Sequence, residues 1–248
     1  MHPVNKVLYR FGVMLQWTRD SVFIPRPFHA SYRRQLRALR RDRRGFEVHA
    51  EERFDAGAHP HSFIDEECAF ASRHLLRTRP ARVLDVGSYR HFILGLLAHT
   101  RVTTIDVRQR SAVSDNEEVV TCDAKELTLA DGAFPLVVSL CTLEHFGLGR
   151  YGDALDLDAD GKAFAEMKRV LAPGGRLVFS TTVSRRPQIV FNAHRIYSLA
   201  MLRRFCDGLV CEEERFYSHA RSAFCQAAEI SDQPEVWDVY LGCWRKPG

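Results

Sequence analysis

The sequence predicts an α/β fold in which a mostly parallel sheet is covered by helices on both faces. Short, continuously apolar runs recur along the chain with helix-patterned segments between them, and several of these runs end in an acid. Composition agrees with this: 46% of the 248 residues are hydrophobic and 27% charged, enough to bury a sizeable core and unlike the composition of disorder.

The elements follow in order. Val4, Val7, Leu8, Phe11 and Leu15 recur at spacings of three and four, which predicts a short amphipathic helix that Ile24-Pro25-Arg26-Pro27 ends. A second helical stretch carries Tyr32, Leu36 and Leu39 on one side and seven arginines between Arg33 and Arg44. Ser62 with Asp65 forms a capping pair, and Ile64, Cys68, Ala71 and Leu75 then mark a helix that stops before Pro80. These signals divide the chain into a basic amphipathic arm, 1–60, and a main domain, 61–248.

Within the main domain, Arg82 to Gly87, Val102 to Asp106, Val119 to Asp123 and Leu136 to Cys141 read as buried strands, with a helix from Phe92 to Ala98 behind the first. Phe164, Met167, Val170 and Leu171 fall at helical spacing, after which Pro173-Gly174-Gly175 turns the chain into a strand from Arg176 to Thr182. Ser198 to Phe205 reads as helix, and Leu209 to Tyr217 and Trp237 to Trp244 as a closing pair of strands.

Charge and cysteine usage narrow the function classes. Thirty-five basic against 31 acidic side chains give a net charge of +4, with 12 basic and 6 acidic in residues 1–60 and 23 and 25 in the remainder. The main body is therefore slightly acidic, which argues against nucleic acid as partner. The arginine-rich arm has two readings: a solvated helix packed by a thin apolar stripe, or a basic amphipathic device that touches anionic lipid as a peripheral membrane contact. Seven cysteines, odd in number and never as C-x-x-C, predict reduced thiols and a cytoplasmic setting. No apolar run reaches the length of a membrane span, and Arg10 interrupts the one candidate leader core.

In an open parallel sheet, ligands bind beyond the carboxyl ends of the strands, where Asp85, Gly87, Asp106 and Asp123 should meet. Asp106 lies 19 residues after Gly87, the interval at which an acid accepts hydrogen bonds from a ribose. A dinucleotide pyrophosphate needs a G-x-G-x-x-G loop, whereas this chain offers Gly87-Ser88-Tyr89-Arg90-His91, so a nicotinamide-dependent oxidoreductase is the weaker reading.

Val83 to Ser88, Asp106, Cys122-Asp123-Ala124, Leu143-Glu144-His145 and Arg169 to Gly175 resemble, in order and spacing over about residues 80–183, the successive motifs of class I S-adenosylmethionine (SAM)-dependent methyltransferases. Glu144 to Asp153 and Phe191 to Tyr197 further resemble a methyltransferase-like family of uncharacterised function from bacteria and nematodes. The resemblance implies a Rossmann-like, seven-stranded sheet whose last strand is antiparallel, with SAM as cofactor. It implies that Gly87 and Ser88 pass under the methionine part, that Asp85 lies near its ammonium, and that Asp106 holds the ribose. Asp123 and Ala124 would take the adenine, with Leu140 and Cys141 in the floor.

Methyl transfer to a hydroxyl requires a base near neutral pH, and His145 and His194 are the candidates. Glu144, Arg150, Tyr151, Asn192 and Arg195 are candidates for binding a small polar or glycan acceptor, and no metal is expected. A non-catalytic binding module on the same fold is the alternative, because the glycine loop has lost its second glycine.

Overall fold

The computed structural model describes residues 26–53 and 61–248. The apolar segment predicted as a helix within residues 4–15 lies outside the described residues. The chain separates into two compact units at residues 60/61. In the first, α1 (Arg26–Arg41) is a helix with no buried residue. Arg26 and Pro27 begin this helix and do not simply end the one before it, because a proline in the first turn gives up an N–H that has no intrahelical partner anyway.

The second unit opens with α2 (Phe63–Thr78), whose start is fixed by a capping box between Ser62 and Asp65. The elements that follow are β1 (Arg82–Val86), α3 (Arg90–Leu96), β2 (Arg101–Asp106), β3 (Glu117–Thr121), β4 (Phe134–Leu140), α4 (Ala159–Val170) and β5 (Leu171–Val183). Next come β6 (Gln188–Val190), β7 (His194–Ile196), α5 (Leu199–Phe205), β8 (Val210–Ser218), β9 (Ala223–Cys225) and β10 (Asp238–Arg245).

The main sheet runs in the order β3-β2-β1-β4-β5-β10-β8-β9. Strands β1 to β5 are parallel, and β10 pairs antiparallel with both β5 and β8. This is the Rossmann-like architecture of the class I methyltransferases, with one correction to the expected seven strands: the short β9 adds an eighth at the β8 edge.

Side-chain alternation along the strands builds two cores. Val83, Val138 and Val178 pack against Phe70, Leu75 and Ile93 of α2 and α3. Leu84, Val137 and Leu177 pack against Phe164 and Met167 of α4 and Leu202 of α5. Each face of the sheet is therefore covered, as the continuously apolar strand sequences require.

One local expectation is revised. Pro173-Gly174-Gly175 does not precede the fifth strand but forms a bulge within it. Phe134 pairs with Leu171 and Leu136 with Arg176, so four residues loop out against one on β4. His194 and Arg195 sit in β7, part of a separate two-stranded sheet with β6. Among the described residues, no helix is long and apolar enough to cross a membrane.

Candidate functional site

The carboxyl ends of β1 and β4 are locked together by side chains. Ser139 Oγ donates to the Val86 carbonyl at 3.0 Å, and the Leu140 N–H donates to Ser88 Oγ at 3.0 Å. Thr142 Oγ1 lies 3.0 Å from the Gly87 carbonyl and 2.9 Å from that of Leu140. Gly87 has φ +72, and a Cβ there would stand 2.5 Å from Thr142 Cγ2, so the turn requires glycine both for its conformation and for this approach.

Beyond these ends lies an open cleft. Gly87, Asp106, Asp123, Ala124, Cys141, His145 and Tyr151, all singled out in the sequence, are among the residues that line it. The sequence reading missed Arg108, Lys125, Thr142 and Phe146, which also line it. Arg108 had a visible signal, since a base two residues after a strand-end acid can fold back on it.

It does so here. Asp106 Oδ1 accepts from the Arg108 backbone N–H at 2.9 Å and from its Nε at 3.0 Å. Oδ2 accepts from Arg108 Nη2 at 2.9 Å and Arg110 Nη2 at 2.7 Å. Burial pushes the Asp106 carboxyl upward, but these hydrogen bonds and charges outweigh it and hold the group below the usual carboxylate range. All four of its acceptor positions are used. Asp123, by contrast, is half-exposed and accepts the Lys125 backbone N–H at 3.0 Å.

Three residues expected to touch a cofactor stand behind the lining. Asp85 is fully buried; one oxygen accepts the Ser88 N–H at 3.2 Å, the other has no hydrogen-bond partner, and burial raises its carboxyl to about 7. Ser88 and Leu140 are buried and bonded to each other across the β1/β4 seam. They shape the cleft without lining it.

The opposite wall is the segment after β4. Cys141 takes a left-handed conformation (φ 51), and Leu143–His145 form a single 3-10 turn. His145 Nδ1 lies 2.7 Å from the Ala193 carbonyl, which assigns the proton to Nδ1 and leaves Nε2 with its lone pair. Arg150 Nη1 donates to the same carbonyl at 3.1 Å. Both the Arg150 and the Arg108 guanidinium lie over the Tyr151 ring, at 5.5 and 5.0 Å from its centroid. From Tyr151 a file of rings leads away through His145, His194, Trp237 and His219, with neighbouring centroids 6.3, 6.5, 6.1 and 4.7 Å apart.

Arg195, expected at the acceptor, is a buried clamp. Its Nη2 donates to the carbonyls of Asp156 and Leu157 at 3.3 Å each, Nη1 donates to that of Phe146, and Nε lies 3.4 Å from Asp160 Oδ2. Tyr197 donates to the same Asp160 oxygen at 2.9 Å. The second signature segment, residues 191–197, thus holds the loop formed by the first. Glu144 is also fully buried, accepting from Thr181 Oγ1 at 2.8 Å. Asn192 is exposed beside β7, and His194 Nε2 is buried without a partner, with burial lowering the imidazole below its usual range.

Residues 84–179 match a protein family described as a methyltransferase domain. No curated protein sequence matches the chain. Among solved structures, the chain is similar to the 1,6-didemethyltoxoflavin N1-methyltransferase of Burkholderia thailandensis, solved with S-adenosylhomocysteine (SAH) bound. The TM-score is 0.56 at 18% identity, over 92% of this chain and 93% of that one. It is similar to the N-methyltransferase NodS of Bradyrhizobium japonicum in complex with SAH (TM-score 0.53, 20% identity, 74% of this chain and 87% of that one). The [4+2]-cyclase SpnF shares the fold as well (TM-score 0.54, 17% identity, 74% and 80%).

Proposed function

We propose, from a chain whose residues 84–179 match a methyltransferase domain on a class I methyltransferase fold, that it is a SAM-dependent methyltransferase acting on a hydroxyl or amine of a small polar or glycan acceptor. The observation that carries this reading is the convergence on one cleft of Gly87, the strand-end acids Asp106 and Asp123, and the imidazole of His145. These residues fit the cofactor. Gly87 presents bare backbone to the cleft, and Asp123 offers a half-exposed acceptor beside the small Ala124.

SAM would supply the activated methyl group. The chain's own task is to bind, orient and deprotonate. His145 Nε2 is available to take the acceptor's proton, while Nδ1 is anchored on the Ala193 carbonyl so that the ring cannot turn away. Tyr151, held beneath two guanidinium groups, and Phe146 add aromatic surface to the lining of the cleft. The ring file from His145 to Trp237 offers faces on which a sugar or heterocycle could stack.

One observation favours the alternative, a non-catalytic binding module on the same fold. Asp106 is saturated by its own arginines. A homocysteine-release screen of sugar nucleotides, lipid-linked oligosaccharides and small amines separates the two. On the best acceptor, His145→Gln should lower kcat by about 10²- to 10⁴-fold while SAH binding persists. Folded, SAH-binding protein with no turnover across the screen would favour the non-catalytic reading.

A further inference from the structure

The five-residue stretch Cys141-Thr142-Leu143-Glu144-His145 brings a thiol, a carboxylate and an imidazole together. Their donor atoms all lie within 4.8 Å of one another. A divalent ion of the zinc class bonds sulfur at about 2.3 Å and nitrogen or oxygen at about 2.0–2.2 Å, so its donors sit about 3.5 Å apart in a tetrahedral site. His145 Nε2 and Glu144 Oε1 are already 3.9 Å apart, and closing the remainder needs side-chain movements of about an ångström.

Three features point to a ligand here and not to a chance cluster. Glu144 is fully buried; Thr181 satisfies one carboxylate oxygen, while the other, Oε1, is met only by the weak donor of the Cys141 thiol and by His145 Nε2 at 3.9 Å. A buried carboxylate oxygen so weakly satisfied suits a cation better than the thiol it faces. His145 donates its Nδ1–H to a backbone carbonyl, the outer-shell bond that fixes a metal-ligating imidazole with Nε2 forward. Cys141 adopts φ 51, an unusual conformation for a residue with a side chain, and the following 3-10 turn directs positions 144 and 145 to the same point.

We propose that Cys141, Glu144 and His145 form a three-ligand site for a zinc-class divalent ion on the wall of the cleft. The sulfur, nitrogen and oxygen donors suit a borderline cation better than magnesium or calcium, and three protein ligands leave a fourth position open. Binding releases the Cys141 thiol proton to solvent. No sequence motif marks the trio, because C-x-x-E-H lacks the paired spacing of known zinc signatures.

One consequence rests on the function proposed above: an ion on Nε2 occupies the lone pair that His145 needs as a base, so filling the site and proton abstraction exclude each other.

The test uses the full chain, stripped with chelator and dialysed against zinc, with metal content measured by mass spectrometry. The proposal expects one equivalent per chain and, with cobalt(II) in place of zinc, a cobalt–thiolate charge-transfer band. Cys141→Ser should abolish that band, and Cys141→Ser and Glu144→Gln should each weaken binding by about tenfold or more. Circular dichroism of each variant verifies the fold, and if Glu144→Gln fails to fold, Cys141→Ser and His145→Asn decide the matter. Substoichiometric metal in the wild type, or a cobalt band unchanged by Cys141→Ser, would overturn the proposal. Metal binding without inhibition of turnover would instead contradict the base assignment of His145 and leave the site standing.

Discussion

Arg108 closes on Asp106 through two parallel hydrogen bonds, Nε to Oδ1 at 3.0 Å and Nη2 to Oδ2 at 2.9 Å. The acid that would hold a ribose is thus covered by a residue only two positions on. The Arg108 guanidinium is largely exposed, Arg110 stays on the buried Asp106 carboxylate when it leaves, and the Tyr151 ring already stands 5.0 Å away. Arg108→Ala should therefore leave SAH affinity unchanged or raise it by up to about 100-fold, since one charge-assisted hydrogen bond is worth about 1.5–3 kcal/mol and displacing it opposes binding. Calorimetric titration checks this. Affinity falling in the variant would mean that Arg108 itself contacts the cofactor.

Asp85 couples stability to pH. Its carboxyl is raised by burial from 3.8 to about 7, with Ser88 and Arg110 opposing the shift and Asp106 adding to it. Between those two values the folded protein holds a proton that the unfolded chain has lost, so this group's contribution to stability falls as pH rises from about 4 to about 7 and levels off above. Thermal melts of the wild type across that range should show a declining component that Asp85→Asn reduces. An identical pH profile in the variant would contradict this account of the buried acid.

Arg195 is predicted to matter for folding more than for the acceptor. Removing one partner of a buried ion pair costs about 3–5 kcal/mol, and Arg195→Ala would also strip the carbonyls of Phe146, Asp156 and Leu157 of their donor. Its melting temperature should drop by about 6 °C or more, at about 2–4 °C per kcal/mol for a domain of this size. Asn192→Ala, at an exposed turn position, should melt within about 2 °C of the wild type. Equal melting of the two variants would refute the clamp.

The sheet was legible because burial on both faces forces continuous apolar runs such as Leu136 to Val138, and because Ser62 and Asp65 announce a helix start by local chemistry alone. Strand-end placement likewise made Gly87, Asp106, Asp123 and His145 findable. What sequence could not reveal was the partner of each polar side chain. Arg195 reads as a surface cation until the chain folds four acceptors around it, and Asp106 reads as a free acceptor until Arg108 and Arg110 turn back on it. The bulge at Pro173-Gly174-Gly175 was hidden for a related reason: its residues are those of a turn, and only pairing with Phe134 and Leu136 shows that the strand has already begun.

On the proposed function, the cleft at the ends of β1 to β4 takes SAM. Titration calorimetry of the full chain with SAH tests it most directly, read against Asp106→Ala. One site per chain is expected, with affinity about 10- to 100-fold weaker in Asp106→Ala, the equivalent of the charge-assisted hydrogen bonds lost to a ribose. No detectable binding by well-folded wild-type protein, or equal affinity in the variant, would contradict it.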